Sequence, residues 1–227
     1  MVYIEIRYYF FVVLTYLMLN NCCLSAQQKH EYVDLGLPSG TLWATCNIGA
    51  DNPWDFGEYY AWGETTPKTR YSWNNYKYAA NGDVQQLTKY CTLSKYGFNG
   101  FVDNITVLQP SDDAATVNWG SEWRMPTREE WDELEKQCEW IWTENYQCKG
   151  KKGYLVRSNG KQIFLPAAGS RGYSFDSANT DGDYWSVNSF DYYSYRAIGL
   201  HFYSGSILFE RYYRSAGLSV RAVRNKK

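Results

Sequence analysis

The sequence predicts a compact, β-rich domain organised around one strongly marked helix, and three observations carry that expectation. Aromatic residues make up 19% of the chain, with 22 tyrosines and 10 tryptophans, while charged residues stay at 21%. That balance points to packed sheets and leaves Tyr and Trp in excess of core needs for a contact surface. Short apolar runs separated by Gly, Pro and Asn read as strands joined by turns. Finally, residues 119–131, Trp-Gly-Ser-Glu-Trp-Arg-Met-Pro-Thr-Arg-Glu-Glu-Trp, combine a helix start with a dense aromatic frame.

The helix is justified residue by residue. Pro126 disfavours the α region for Met125, so the chain enters extended. Thr127 is a good N-cap, because its hydroxyl can accept from an orphaned N–H of the first turn. Glu130, three residues on, can reach back to the Thr127 N–H and complete a capping box. Glu129 and Glu130 also suit the positive end of the helix dipole. Trp131, Leu134 and Cys138 then recur on one face, which predicts about three turns of amphipathic helix.

Strands are expected on both sides of it. Glu31–Leu37 and Thr41–Cys46 form a hairpin across Pro38-Ser39-Gly40, and Glu58–Gly63 is a short strand. Residues 79–118 read as a long irregular insertion, in which Asp112-Asp113-Ala114-Ala115 starts a helical turn. Gly153–Arg157 and Lys161–Pro166 pair across Asn159-Gly160, the strongest short hairpin signal. Gly169–Tyr195 reads as an aromatic loop. Three closing strands follow at Tyr195–Tyr203, Ser206–Tyr213 and Leu218–Val223.

Residues 1–26 are expected to be an export signal: an apolar stretch from Tyr8 to Leu19, too short for a comfortable membrane span, precedes Leu24-Ser25-Ala26, with cleavage before Gln27. Cys22 or Cys23 offers lipid anchoring as an alternative address in the cell envelope. Residues 27–227 then form a single domain of about 200 residues, a size that sustains a real core. No later apolar run is long enough to cross a membrane. A net charge of −1 argues against a nucleic-acid partner, which normally leaves a basic face. Cys46, Cys91, Cys138 and Cys148 remain, and an even number in an exported chain suggests disulfides in any of three connectivities. With two histidines and no CxxC, a zinc site is not expected.

Several motifs together are similar to one family. The opening Val33-Asp34-Leu35-Gly36-Leu37-Pro38-Ser39-Gly40-Thr41-Leu42-Trp43-Ala44-Thr45-Cys46-Asn47-Ile48-Gly49-Ala50 resembles that of the Fibrobacter succinogenes major paralogous domain. So do Tyr60-Ala61-Trp62-Gly63-Glu64-Thr65, Asp112–Ala115, Trp123-Arg124-Met125-Pro126-Thr127, Phe164-Leu165-Pro166-Ala167-Ala168-Gly169, Tyr184-Trp185-Ser186 and Ser219-Val220-Arg221. Their order matches from residue 31 to 224. The resemblance implies an α+β domain of the C-type lectin-like fold, with short antiparallel strands, few helices and long aromatic-rich loops, distantly similar to formylglycine-generating enzymes. Members are mostly exported bacterial proteins, some on cell surfaces or at fimbrial tips. Cys46 and Cys138 match common family positions, so the resemblance implies that they pair with each other, leaving Cys91 and Cys148 together or free. Tyr78-Ala79 stands where members often carry a cysteine that would partner Cys91, and the closing strands lack the family's cysteine pair.

Catalysis finds little support in these residues. Copper chemistry of the formylglycine-generating type needs cysteines near the end of the domain, and none follows Cys148. A histidine base is offered only by His30, near the expected start of the exported chain, and by His201, which alternates with Leu200 and Phe202 and so faces away from them toward solvent. Carboxylate pairs at Asp112/Asp113, Glu129/Glu130 and Asp181/Asp183 are explained by helix starts, capping and a turn. Asp176, Asn179, Asp181 and Asp183 supply some calcium-type oxygens, but the EF-hand pattern and the lectin Glu-Pro-Asn and Gln-Pro-Asp motifs are missing. No cofactor is expected, with calcium at these oxygens kept as the alternative to a simple Asx/Gly turn.

What remains is recognition by loop aromatics. Tyr and Trp stack on the C–H faces of sugars while Asn and Asp bind hydroxyls, and Tyr-rich loops on a rigid scaffold serve protein contact equally well. The expected ligand-binding residues are Tyr173, Asp183, Asn188, Asp191, Tyr192 and Tyr193. The expected protein is an exported, non-catalytic module that binds a glycan or a surface protein, with adhesion as its setting. The alternatives are a structural or tip subunit of a fimbrial or other surface assembly and, third, an enzyme of another type.

Overall fold

The computed structural model describes residues 30–172 and 177–226. The expected export signal lies outside the described residues, as do Tyr173 and Asp176. The fold is α+β, the class that the family resemblance implies.

Along the chain, β1 (Tyr32–Val33) and β2 (Thr41–Ala44) form the expected antiparallel pair, with Val33 opposite Trp43. β3 (Tyr59–Tyr60) follows, and then a long stretch of turns and single 3-10 turns. Helix α1 (Ala114–Trp119) starts where the sequence places it. The Asp113 carboxylate caps it by accepting from Ala115 N at 2.8 Å and Thr116 N at 3.1 Å, and its second oxygen accepts from Met125 N at 2.8 Å.

Helix α2 (Arg128–Gln137) carries the expected capping box: Thr127 Oγ1 accepts from Glu130 N at 3.1 Å, and Glu130 Oε2 accepts from Thr127 N at 2.9 Å. Arg124 completes the arrangement, donating both Nη atoms to the Glu130 carboxylate at 2.6 Å. Trp131 and Leu134 are buried on the inward face. Cys138 does not extend that face, because it adopts extended φ/ψ and ends the helix.

Beyond the helix, β4 (Glu139–Thr143), β5 (Gly153–Ser158) and β6 (Lys161–Pro166) make a three-stranded meander. The β5–β6 hairpin turns at Asn159 and Gly160, both with positive φ (50° and 70°), as a type I′ turn requires. β7 (Gly182–Ser189) overturns the reading of 169–195 as loop. It is the middle strand of a five-stranded sheet ordered β3-β10-β7-β8-β9, where β8 is Arg196–Tyr203, β9 is Ser206–Tyr213 and β10 is Leu218–Ser219. The last expected strand divides into β10 and β11 (Val223–Asn225), and β11 crosses to pair with β2 in the sheet β1-β2-β11.

The five-stranded sheet separates two apolar clusters. Tyr184, Leu200 and Phe202 face α2 and the β4-β5-β6 meander through Trp131, Tyr154 and Val156. Trp185, Val187 and Ala197 face the turn-rich region through Trp62, Tyr76 and Tyr90. Burial of this much aromatic surface is the main favourable term for the fold. The many rings also pack edge to face, as in Trp62–Tyr90 at 5.0 Å between centroids.

All four described cysteines are free thiols, so the Cys46–Cys138 disulfide is not formed. The two belong to different clusters: Cys46 packs with the Trp62 side and Cys138 with the Trp131 side. Cys46 Sγ instead hydrogen-bonds the Ala50 carbonyl at 3.2 Å. Burial pushes both thiols above their ordinary pKa, Cys138 to about 11, which keeps them protonated and unreactive.

Candidate functional site

A concave feature opens on the Trp185 face of the five-stranded sheet, and its charged base is set by strand register. Asp183 on β7 lies directly opposite His201 on β8, so both side chains stand on the same face. The Asp183 carboxylate accepts from His201 Nδ1 at 2.7 Å. The same oxygen accepts from the Tyr212 hydroxyl of β9.

Tyr212 reaches Asp183 only by crossing β8, and Gly199 lets it pass. A Cβ on Gly199 would stand 3.0 Å from two Tyr212 ring carbons and 2.8 Å from the Tyr184 carbonyl oxygen. Gly199→Ala is therefore expected to lift the ring off Asp183 and to lower stability by about 1–3 kcal/mol. Urea denaturation measures this, and an unchanged midpoint would show that the ring has room to spare. Burial, and then the Asp183 charge, hold the Tyr212 phenol well above its ordinary pKa, so it remains a donor.

Around this triad the chain builds a cleft of about 860 Å³, within the range of small-ligand sites. One wall carries Tyr71 and Trp73, with Trp73 set edge-on to Tyr213 at 6.1 Å between centroids. Tyr71 is locked by its hydroxyl, which accepts from Lys68 N at 2.9 Å and donates to the Tyr59 carbonyl. On the same side, Arg171 is held by a two-way backbone bridge to Gly217, at 2.7 and 2.8 Å, and its guanidinium lies over the Tyr59 ring. Arg196 lies 4.5 Å over the Tyr213 ring and donates to the Arg211 carbonyl. Asp181, Glu210 and Arg211 complete the charged residues of the lining.

The residues expected from sequence are not brought together. Asp183 stands at the base of the cleft, but it is buried and engaged with His201 and Tyr212 rather than open to solvent. Asn188 serves α2: its Oδ1 accepts from Arg128 N at 2.9 Å. Asp191 and Tyr192 line a separate depression with Lys95 and Phe190. Tyr192 is 68% exposed, more than any other large hydrophobic side chain among the described residues. Tyr193 packs against Tyr96, Phe190, Tyr192 and Tyr195, so its ring stiffens the loop. Tyr173 is outside the described residues.

His201 faces away from Leu200 and Phe202, as the alternation predicts, but it meets a carboxylate rather than open solvent. The signal is an Asp and a His on neighbouring strands, and it does not show in the sequence because residues 182–189 read as loop. Among the described residues, no three His, Cys, Asp or Glu side chains are placed to hold a metal ion, and no helix is long and apolar enough to cross a membrane. Comparison of the chain with family models, with curated proteins and with solved structures finds no match.

Proposed function

We propose that the chain is an exported, non-catalytic recognition module of the Fibrobacter succinogenes major paralogous type, with a C-type lectin-like fold, that binds a glycan or a surface protein through the Trp73–Tyr213 cleft. The ordered motifs from Val33 to Arg221 support the family reading, and the apolar stretch before Gln27 supports export to the cell surface or beyond. The single observation that carries the function is the cleft itself. Rigidly held rings at its mouth stand beside arginine and carboxylate side chains, and that mixture suits the apolar faces and hydroxyl edges of sugars. No cofactor is invoked.

A glycan array probed with the full chain, with calcium and with chelator, tests the proposal. Trp73→Ala is expected to weaken binding about tenfold, the loss of one stacking contact of about 1.4 kcal/mol. Tyr192→Ala, outside the cleft, is expected to leave binding unchanged. Equal binding by wild type and a folded Trp73→Ala variant would move the site elsewhere.

The second reading, a subunit of a fimbrial or other surface assembly, draws on β9. This eight-residue strand is the edge of its sheet and pairs only with β8 among the described residues. Open edges of that length accept an added strand.

A further inference from the structure

We infer that Asn81 is a site of spontaneous covalent modification, where the side-chain amide is lost to give aspartate and isoaspartate, and that the fold selects it from among three Asn-Gly pairs. The inference stands apart from the reading of the cleft, and its test needs no ligand.

The chemistry belongs to the Asn-Gly pair. The backbone nitrogen that follows an asparagine can close a five-membered ring on the side-chain carbonyl carbon, and glycine shields that nitrogen least. At this position the Gly82 nitrogen gives up its proton and bonds to Cγ of Asn81. The Cγ–Nδ2 bond breaks, and the amide nitrogen takes up that proton and leaves as ammonia. Water then opens the cyclic imide at either of its C–N bonds, its hydroxyl going to the carbonyl carbon and its proton to the nitrogen. One opening gives aspartate. The other gives isoaspartate, whose backbone runs through the former side chain. Water is the sole co-reactant.

Sequence alone does not choose between Asn81-Gly82, Asn99-Gly100 and Asn159-Gly160. Local backbone does not choose either. All three asparagines are exposed and left-handed, with φ of 55°, 52° and 50°, and their glycines follow at 69°, 79° and 70°.

Hydrogen bonding separates them. Ring closure needs a free glycine N–H and a side chain free to turn toward it. Gly100 N donates to the Gly97 carbonyl at 3.0 Å, which ties up the attacking nitrogen. Asn159 Nδ2 donates to the Leu35 carbonyl at 3.3 Å, and its side chain rests on Gly36, where a Cβ would stand 1.9 Å from Nδ2. There the attacked group is held instead. The Ala80–Gly82 turn closes through Asp83 N on the Ala80 carbonyl at 3.1 Å, and among the described residues neither Gly82 N nor the Asn81 amide makes a hydrogen bond of comparable geometry. The product places a new carboxylate, and in the iso form a longer backbone, on the turn that leads into Val84 of the cleft lining.

The test is peptide mapping by mass spectrometry of the full chain held in mildly alkaline buffer, once folded and once in urea. In the folded chain Asn81 is expected to convert about fivefold faster than Asn99 or Asn159, because freeing either of those costs about 1 kcal/mol, the worth of one hydrogen bond. In urea the three rates should converge, since the pairs are chemically the same. Enzymatic methylation should report isoaspartate at position 81. Gly82→Ala is no control, because a Cβ there would stand 2.6 Å from Asn74 Oδ1. Asn81→Gln is the control: its longer side chain must close a six-membered ring, so the fast conversion should vanish.

Faster conversion at Asn99 or Asn159 in the folded chain would overturn the inference. Equal rates at all three positions in the folded chain would overturn it as well. A lead at Asn81 that persists unchanged in urea would assign the preference to neighbouring sequence and overturn selection by the fold.

Discussion

Replacing Arg221 by methionine is expected to destabilise the protein by about 3–5 kcal/mol, the larger of the two strongest effects the fold predicts. Arg221 is fully buried, yet no carboxylate among the described residues is hydrogen-bonded to it. Its partners are neutral: Nη1 donates to the Ala44 and Thr45 carbonyls at 3.1 and 3.4 Å, Nη2 to Phe164 at 2.9 Å and Nε to Asn47 Oδ1 at 3.0 Å. One planar fork thus ties the end of β2, the loop after it and β6 to the segment between β10 and β11. Burial lowers its pKa, but a guanidinium begins so high that it stays charged. Methionine fills much of the volume and leaves three carbonyls and an amide oxygen without donors in a dry interior. Lysine should do little better, because its donors radiate from one atom. Thermal or urea denaturation of both variants checks this, and a loss below about 1 kcal/mol for Met would mean that water replaces the fork.

Asp112→Asn is expected to cost about 3 kcal/mol, and to change the acid limb of the stability curve as well. The buried Asp112 carboxylate collects four donors: Lys89 Nζ at 2.5 Å, Lys77 Nζ at 3.2 Å, Tyr78 OH at 2.5 Å and Tyr90 OH at 2.7 Å. An amide offers one acceptor and turns its NH₂ toward groups that are themselves donors. Burial alone would raise the Asp112 pKa, but the bonds from Lys89, Tyr78, Tyr90 and Lys77 outweigh it and hold the carboxyl well below its ordinary 3.8. The folded state therefore takes up this proton later than the unfolded state. Its stabilisation is complete above about pH 4 and fades as pH falls below that value. Wild type should lose stability through this window, and Asp112→Asn should lose less. Parallel losses in the two proteins would assign the acid limb to other carboxylates.

Both residues show what the sequence could reveal. Thr127, Glu130, Asp113 and the Asn159-Gly160 turn act within a few residues of themselves, so their roles were legible from spacing alone. β7 was not, because nearly all of its residues are buried and alternation therefore vanishes, while Asp181-Gly182-Asp183 at its start imitates a turn. β4 was passed over for a related reason: its Glu139-Trp140-Ile141-Trp142-Thr143 run follows the helix directly, with no Gly or Pro to announce it.

The candidate site suffered most. Asp183 was singled out, but its partner His201 is set by the register of β7 on β8, and Trp73 arrives from a segment more than a hundred residues earlier. No local pattern encodes either meeting. Free Cys46 and Cys138 make the same point from the other side, since family positions suggested a partnership that the division into two clusters prevents.

The crossing of β11 back to β2 has a consequence for biosynthesis. Trp43 waits for its partner Val223, about 180 residues downstream. At ribosomal rates of about 5–20 residues per second, that interval lasts roughly 10–40 s. Throughout it, Leu42, Trp43 and Ala44, all buried in the finished protein, remain without the strand that covers them. The nascent chain thus presents a sticky aromatic segment to its surroundings for most of its synthesis.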